Sequence, residues 1–256
     1  MKKLLRGVRM LAGAGLVAVA LFIGWLYFVW PPPSWWRHHW PAETAFMRMR
    51  QTQYGGNDTL PRLYQPVPLA SISNSLERIV LVGEDDAFYQ HHGIDFRQLR
   101  EALGYRRAEF SWKNPRDRTE LWRVLSRAQD AGLPARGAST ITQQLAKNLY
   151  LSPSRNPLRK VKEAVIAWRL ERALGKERIL ELYLNVAELG FNTWGAEAAS
   201  QRYFRRSAER LTMEQAALIA GTLPHPLTSN PGFRPGRTRA RAAMLLRRLY
   251  GDSTTQ

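Results

Sequence analysis

Residues 84–93 (EDDAFYQHHG) combine three consecutive carboxylates with two histidines, and they follow the apolar segment 79–82 (IVLV). A carboxylate that is pressed against apolar neighbours loses hydration, which costs free energy. Its pKa therefore rises, and the group can act as an acid or a base near neutral pH. The same residues could instead form a helix end that frays into a solvated acidic turn. These ten residues alone leave both interpretations open.

A second group of polar residues starts at Ser139. Helical spacing places Ile141, Leu145 and Leu149 on one face of a predicted helix. The opposite face carries mainly amides and hydroxyls together with one cation: Thr140, Gln143, Gln144, Lys147 and Asn148. Such groups donate hydrogen bonds to oxygen-rich ligands. We interpret this as a binding face, with an ordinary solvated face as the alternative.

A third pair consists of Arg159 and Glu163, which are four residues apart and so share one face of a predicted helix. On an open surface the pair would contribute only a few tenths of a kcal/mol, roughly. In the wall of a cleft the pair would supply a cation for a phosphate group and a second carboxylate.

The elements that must position these groups are predicted to be helices, because apolar residues recur at helical spacing and no strand pattern competes after residue 70. The expected fold class is therefore mainly α. The predicted helices lie near residues 42–51, 73–84, 95–103, 119–128, 137–149, 159–174, 176–185, 195–204, 213–221 and 238–250. Ser73 is a predicted N-cap, and Thr212 with Gln215 is a predicted capping box. The apolar stripe of the 159–174 helix is predicted at Val161, Ala164, Val165 and Trp168. Residues 105–136 are predicted to be a surface excursion.

The amino terminus contains twenty consecutive residues without a charge, 11–30. At about 1.5 Å per residue, a helix of this length spans roughly 30 Å, the thickness of the bilayer hydrocarbon. Four cations precede the segment: Lys2, Lys3, Arg6 and Arg9. The positive-inside rule then predicts a cytoplasmic tail (1–10), a transmembrane helix (11–30) and a juxtamembrane connector (31–68) outside the cell membrane. A cleaved signal peptide is the alternative, but no small-x-small cleavage site follows the apolar segment.

The composition limits the classes of partner. The chain has 256 residues and no cysteine, which excludes disulfides and thiolate metal sites. Its 38 Lys and Arg against 21 Asp and Glu give a net charge of +17, which predicts an anionic partner. Nucleic acid, an acidic membrane surface and a phosphorylated substrate all fit that charge.

Four signatures in order resemble those of the peptidoglycan glycosyltransferases, glycosyltransferase family 51, which form the polymerising domain of bifunctional penicillin-binding proteins. They are E-D-x-x-F-x-x-H-x-G at 84–93, G-A-S-T-I-T-Q-Q-L-x-K-N-L at 137–149, R-K-x-x-E at 159–163 and K-x-x-I-L-E-x-Y-L-N at 176–185. Order and spacing agree from about residue 68 to 230. The chain is similar to stand-alone members, since no transpeptidase is expected after it. The segment between Gly93 and Gly137 is longer than is usual in the family.

The resemblance implies a lysozyme-like α-helical glycosyltransferase domain at 69–250, which polymerises lipid II with inversion at the sugar. It implies Glu84 as the base and Glu163 as a second catalytic carboxylate, while Lys147 and Arg159 would stabilise the phosphate charge. Further substrate-binding residues would be Ser139, Thr140, Gln144 and Asn148, and Asp85, Phe88 and His91 would hold the Glu84 loop or contact substrate. No cofactor is implied as required, although a divalent cation, Mg²⁺ or Mn²⁺, would be compatible with the chemistry.

The implied location is the cytoplasmic (inner) membrane, crossed once, with the catalytic domain in the periplasm. The implied partners are lipid II, the growing glycan strand and the membrane, with cell-wall synthase or divisome proteins as further candidates and no nucleic acid. Two alternatives stay open: a membrane-bound muramidase or lytic transglycosylase that cleaves strands, and a non-enzymatic anchored glycan-binding protein. Lys147 together with Arg159 favours the polymerase, because a hydrolase has no diphosphate to stabilise.

Overall fold

The structure, a computed structural model, describes residues 2–53, 61–102, 111, 113–120, 122–123, 139–151 and 157–251. Its helices, in chain order, are α1 (Lys2–Tyr27), α2 (Ala45–Gln53), α3 (Asn74–Glu84), α4 (Phe96–Ala102), α5 (Ile141–Tyr150), α6 (Pro157–Ala173), α7 (Lys176–Val186), α8 (Ala196–Phe204), α9 (Met213–Thr222) and α10 (Gly236–Gly251). Residues 115–120 are also helical. The mainly α prediction is confirmed. The predicted excursion at 105–136, most of the predicted 119–128 helix and the first two residues of the second signature lie outside the described residues.

Two groups of helices share one hydrophobic core. Helix α5 packs against α6 and α7, and α3 packs against α9 and α10. The residues that join these surfaces are fully buried and include Ile79, Leu145, Ile166, Leu180 and Leu245. Because α3 belongs to the second group and α5 and α6 to the first, their facing ends meet where the two groups join.

Local sequence signals set several helix starts. The Ser73 side chain accepts a hydrogen bond from the backbone N–H of Leu76, and Thr212 forms a reciprocal capping box with Gln215, as predicted. Helix α5 begins at Ile141 rather than at the Gly137–Ser139 segment, because Thr140 and Gln143 form the same capping box there. The cap fixes the first turn of the helix that carries Gln144 and Lys147.

A small sheet accompanies the helices, although the sequence shows no strand pattern after residue 70. Strand β1 (Leu63–Tyr64) pairs in parallel with β3 (Thr193–Trp194), and β3 pairs antiparallel with β2 (Glu188–Gly190). These strands have two or three residues, which is too short for an alternating pattern to be read in the sequence.

The buried face of α6 also differs from the prediction. The apolar stripe was expected at Val161 and Trp168, but their side chains are 48% and 44% exposed, whereas Ile166 and Leu170 are fully buried. The buried stripe includes Glu163, which is only 2% exposed. Two cations neutralise this carboxylate, and so it occupies a position that periodicity alone assigns to an apolar side chain.

The connector packs against the domain at several points. The indole N–H of Trp36 donates to the Tyr150 hydroxyl at 2.6 Å, and Arg178 donates to the carbonyl oxygen of Trp36 at 2.8 Å. Further along, the Asn185 side chain exchanges two hydrogen bonds with the backbone of Val67. The connector is therefore held by α5 and α7, and α2 lies against α5.

Helix α1 ends beside α6, where the Lys162 ammonium lies 4.5 Å from the centre of the Trp25 ring. Among the described residues, no helix is both long enough and apolar enough to cross a membrane.

Candidate active site

A cleft of about 650 Å³ lies where the two helix groups meet. It brings together six residues that the sequence analysis placed in the site: Glu84, Ser139, Gln144, Lys147, Arg159 and Glu163. It also contains residues that the sequence analysis did not assign to the site, among them Lys160, His225, Arg241, Met244 and Arg248. The cleft is therefore lined by residues of α3, α5, α6 and α10, which come from three separate parts of the chain.

Glu84, the last residue of α3, places its carboxylate between two donors. Its Oε1 accepts a hydrogen bond from Arg241 Nη2 at 2.9 Å, and its Oε2 accepts one from Gln144 Nε2 at 2.9 Å. Gln144 is itself held by the buried Tyr183 hydroxyl, which donates to its Oε1 at 3.1 Å. The Glu84 side chain is 14% exposed and lines the cleft. Its position is thus fixed while an opening to substrate remains.

Burial raises the pKa of Glu84 above its usual value, despite several opposing contacts. The Gln144 hydrogen bond and the Arg241 guanidinium lower the pKa, and Lys147 does so more weakly. Desolvation outweighs them because the carboxylate sits against the apolar end of α3 and the packed side of α10. A carboxyl group with a raised pKa can accept and release a proton near neutral pH, as a base or acid requires.

The approach of α10 depends on two small residues. A Cβ atom on Gly83 would lie 3.0 Å from a methyl group of Leu245, and one on Gly221 would lie 2.6 Å from the Thr238 carbonyl oxygen. Larger side chains at either position would push α10 away from α3 and α9. The two glycines therefore allow Arg241 to reach Glu84.

The loop after Glu84 is locked to the start of α5. The Asp85 carboxylate, 2% exposed, binds His91 Nε2 at 2.9 Å and accepts the backbone N–H of Ile141 at 2.9 Å. A carboxylate is favourable at a helix amino terminus, where backbone N–H groups are unpaired. The Thr140 hydroxyl donates to the Gly93 carbonyl oxygen at 2.6 Å. These contacts set the distance between the first and second signatures.

The opposite wall of the cleft is cationic. Glu163 pairs with Arg159 at 2.8 Å and with the Lys160 ammonium, whose second bond goes to the Ser139 hydroxyl at 2.7 Å. Lys147 stands beside them, and burial lowers the pKa of its ammonium, with Glu163 and Glu188 opposing the shift and Arg159 and Lys160 adding to it. Three cations and one buried carboxylate leave this wall with a net positive charge, which suits an anionic ligand.

Other predicted residues are placed outside the cleft. Thr140, Asn148, Phe88 and His91 are not among the residues that line it. The Thr140 hydroxyl accepts a hydrogen bond from the backbone N–H of Gln143 in the helix cap and donates one to the Gly93 carbonyl oxygen, and its role in orienting substrate oxygens stays a prediction. The Phe88 ring is 1% exposed and packs under the Lys176 ammonium, and His91 serves the Asp85 carboxylate. Asn148 is 6% exposed.

A second cavity of about 500 Å³ lies on the other side of Glu84. It shares Gly83, Glu84 and Arg248 with the cleft and also borders the predicted Asp85. Its remaining walls come mainly from the loop after α3 and from α4: Val82, Asp86, Arg97, Gln98, Glu101 and Ala102. Glu84 therefore separates two open spaces and can be reached from both.

Arg241 is the most important residue that sequence reasoning missed. The available signal was the alternation of Arg and Leu on α10, which indicated only an amphipathic helix. Its contact with Glu84 spans 157 positions of the chain, which no local pattern can predict. Among the described residues, no group of three or more His, Asp or Glu side chains is close enough to hold a metal ion.

Comparison with known proteins gives a consistent result. A family model described as Transglycosylase matches residues 57–250. The chain is 41% identical over 228 residues to a protein of Azoarcus sp. (strain BH72) named biosynthetic peptidoglycan transglycosylase, covering 89% of each chain. Proteins of the same name from Bordetella pertussis and Acinetobacter baumannii are 39% and 36% identical, over 91% of this chain and 90% and 94% of theirs.

Proposed function

The chain belongs to the transglycosylase family, and from this membership we propose that it is a peptidoglycan glycosyltransferase. It polymerises lipid II, a disaccharide-pentapeptide on undecaprenyl diphosphate, into β-1,4-linked glycan strands and releases the diphosphate carrier. The observation that carries the proposal is that Glu84 and the cations Lys147 and Arg159 line one cleft. A base for a sugar hydroxyl and a positive wall for a leaving diphosphate are the two requirements of this reaction.

The two cavities beside Glu84 suit the two substrates. The cationic wall supports binding of the diphosphate end of the growing strand, the donor, in the larger cleft. Lipid II, the acceptor, then enters the second cavity, so that its sugar 4-hydroxyl meets the Glu84 carboxylate. The hydroxyl oxygen bonds to the donor's anomeric carbon from the side opposite the diphosphate, and the configuration inverts from α to β.

Protons and charge balance in this step. Glu84 accepts the proton of the attacking hydroxyl as the new glycosidic bond forms. The bond between the anomeric carbon and the diphosphate oxygen breaks, and its electron pair leaves with the diphosphate. Lys147 and Arg159 stabilise that added negative charge, and Glu163 holds Arg159 and Lys160 in place. Fixed cations at the position of developing charge are a large source of rate enhancement.

We further propose that the chain is anchored in the cytoplasmic membrane by residues 11–30, with the domain on the periplasmic side. The uncharged segment, the four cations before it and the lipid-linked substrate support this anchor. Cell-wall synthase or divisome proteins are proposed partners, and a requirement for Mg²⁺ or Mn²⁺ stays a prediction. The anchor is tested by alkaline extraction of membranes, in which an anchored chain stays in the pellet and a peripheral one is released.

The decisive experiment for the activity is a time course with the purified full chain in detergent. Labelled lipid II and pre-made uncrosslinked strands are incubated separately, and product length is followed by gel electrophoresis. Strands that lengthen from lipid II support the polymerase. Pre-made strands that shorten would assign the chain to the muramidase or lytic transglycosylase class, and unchanged products in both reactions would refute an enzyme of either kind.

A further inference from the structure

Lys147 is held differently from the other two cations of the cleft wall. Arg159 and Lys160 both pair with the Glu163 carboxylate. In contrast, the Lys147 ammonium has no hydrogen-bond acceptor and no ion-pair partner among the residues that the structure describes. A lysine side chain has several rotatable bonds, so a cation without such a partner must be placed by packing.

The packing partner is Phe46 of helix α2, in the connector. Lys147 Nζ lies 5.7 Å from the centre of the Phe46 ring, within the range of a cation–π contact. The ring is itself fixed edge-on against the fully buried Trp194, with their centres 5.7 Å apart and an interplanar angle of 89°. A ring clamped in this way presents a constant face to the ammonium.

A buried ion pair completes the support. Arg50, one turn after Phe46, also lies over the Phe46 ring, 5.1 Å from its centre. Its Nη2 donates to Glu188 Oε2 at 2.8 Å, and the Glu188 side chain is 4% exposed. The other oxygen of Glu188 and the Nε of Arg50 are buried without a hydrogen-bond partner. Burial raises the pKa of Glu188, while Arg50 and, more weakly, Lys147 lower it, so the Glu188 carboxylate and the Lys147 ammonium interact.

The charges that face Lys147 come from several elements. Glu163, Arg159 and Lys160 are on α6, Glu188 is on β2, Glu84 is on α3, and Arg50 is on α2, while Arg241 of α10 and His225 line the same cleft. Burial lowers the pKa of Lys147, and Glu163 and Glu188 are the two carboxylates that raise it. Removing the charge of Glu188 should therefore make the ammonium lose its proton at lower pH.

We propose that Phe46 and Glu188 are positioning residues that hold the Lys147 ammonium at the diphosphate side of the cleft. This rests on the proposed function, in which Lys147 stabilises the leaving diphosphate. Helix α2, at residues 45–53, lies outside the matched transglycosylase region of residues 57–250. The connector is thereby part of the catalytic apparatus in addition to joining the domain to its amino-terminal segment.

The test uses the full chain and measures kcat and KM for lipid II polymerisation as a function of pH. Phe46→Leu should lower kcat about ten-fold with little change in KM, and Phe46→Tyr, which keeps the ring, should retain kcat within about two-fold. Glu188→Gln should move the alkaline limb of the kcat profile to lower pH. Trp40→Leu is the matched control: it removes the ring under Arg178, 4.4 Å away, and should leave that limb in place.

A double-mutant cycle separates the two hypotheses. With Lys147→Met as background, Phe46→Leu should cost nothing further in kcat. If Lys147→Met retains the full rate, the role of Lys147 in the proposed function is wrong. If Lys147→Met is impaired but Phe46→Leu costs the same ten-fold in both backgrounds, or Glu188→Gln leaves the alkaline limb unmoved, only the positioning proposal is overturned.

Discussion

Glu84 and Glu163 line the same cleft from opposite walls, and their surroundings differ in a way that separates their roles. Glu84 is bound by one cation, Arg241, and one neutral amide, Gln144. Glu163 is bound by two cations, Arg159 and Lys160, and is more deeply buried. Both are glutamates on helices with apolar neighbours in the chain, and residue type alone would not distinguish them.

The two carboxylates thus differ in how many cations bind them, and the two walls differ in charge. Burial of the Glu84 carboxyl raises its pKa, and the Arg241 guanidinium and the Gln144 amide lower it by less, so the net pKa of Glu84 is raised. On the Glu163 side, two cations neutralise one carboxylate and leave Lys147 as an additional positive charge. One wall can therefore exchange a proton, while the other presents an ordered positive surface.

The strongest test of this comparison removes the proposed proton acceptor, the Glu84 carboxylate. Glu84→Gln should lower kcat by about 1000-fold, because general base catalysis is lost while the shape of the side chain is kept. Steady-state polymerisation of lipid II measures this, and lipid II binding should persist. Glu77→Gln, two turns earlier on α3, is the control and should retain most of the activity. A Glu84→Gln variant with more than about a tenth of the wild-type rate would show that Glu84 is not the base.

On the opposite wall, Lys147→Met should lower kcat by about 100-fold, since one fixed cation at the leaving group is lost. Lys147→Arg should restore part of the rate because it keeps the charge with a different geometry. The comparison is sharpened by a competition assay with inorganic pyrophosphate, whose inhibition should weaken in Lys147→Met. Unchanged pyrophosphate inhibition would place Lys147 away from the diphosphate.

Arg241→Gln tests the single cation on the Glu84 side. Because Arg241 lowers the pKa of Glu84, its loss should raise that pKa further. A base works only when deprotonated, so the acid limb of the kcat profile should move to higher pH, with about a ten-fold loss of rate at neutral pH. Arg247→Gln, on an exposed position of the same helix, should leave the profile unchanged. If Arg241 acts only in packing, the rate falls without movement of the acid limb.

Glu163→Gln should mainly reduce the stability of the folded protein. The change leaves two partly buried cations without their anion, and we expect unfolding to become easier by about 2 kcal/mol. Thermal unfolding in detergent should show a Tm lower by about 4–8 °C. Glu43→Gln provides a control, since Glu43 also pairs with two arginines but at the surface, where such pairs contribute roughly 0–1 kcal/mol each. Equal losses in both variants would remove the distinction between the two sites.

Glu84→Gln should slightly raise the stability of the folded protein at pH 7, the opposite of Glu163→Gln. This is the smallest of the expected effects. A carboxyl whose pKa is raised on folding contributes stability below its unfolded pKa, and that contribution is lost as the pH rises through the folded pKa. Glutamine mimics the protonated form, so the variant should have a Tm higher by about 2 °C at pH 7. The gain should disappear below about pH 4.5, the usual value for the carboxyl. If the higher Tm of the variant persists below about pH 4.5, the raised pKa of Glu84 is not its cause.

Local signals in the sequence determined much of the fold. Ser73 and Thr212 began their helices as predicted, because caps depend on hydrogen bonds within four residues of the chain. The carboxylate Glu84 and the cations Lys147 and Arg159 were recognised from four ordered signatures. Periodicity failed on α6, because the burial of Glu163 depends on two paired cations rather than on hydrophobicity.

Only the tertiary structure decided which of these residues meet. It brought Arg241 to Glu84 across 157 positions, through an approach of α10 that Gly83 and Gly221 permit. It placed the Thr140 hydroxyl in a helix cap, and it placed Phe46 of the connector against Lys147. The sequence by itself thus determined the chemical groups and the order of the helices. Desolvation and charge pairing between distant elements, which exist only after folding, gave the two carboxylates different surroundings.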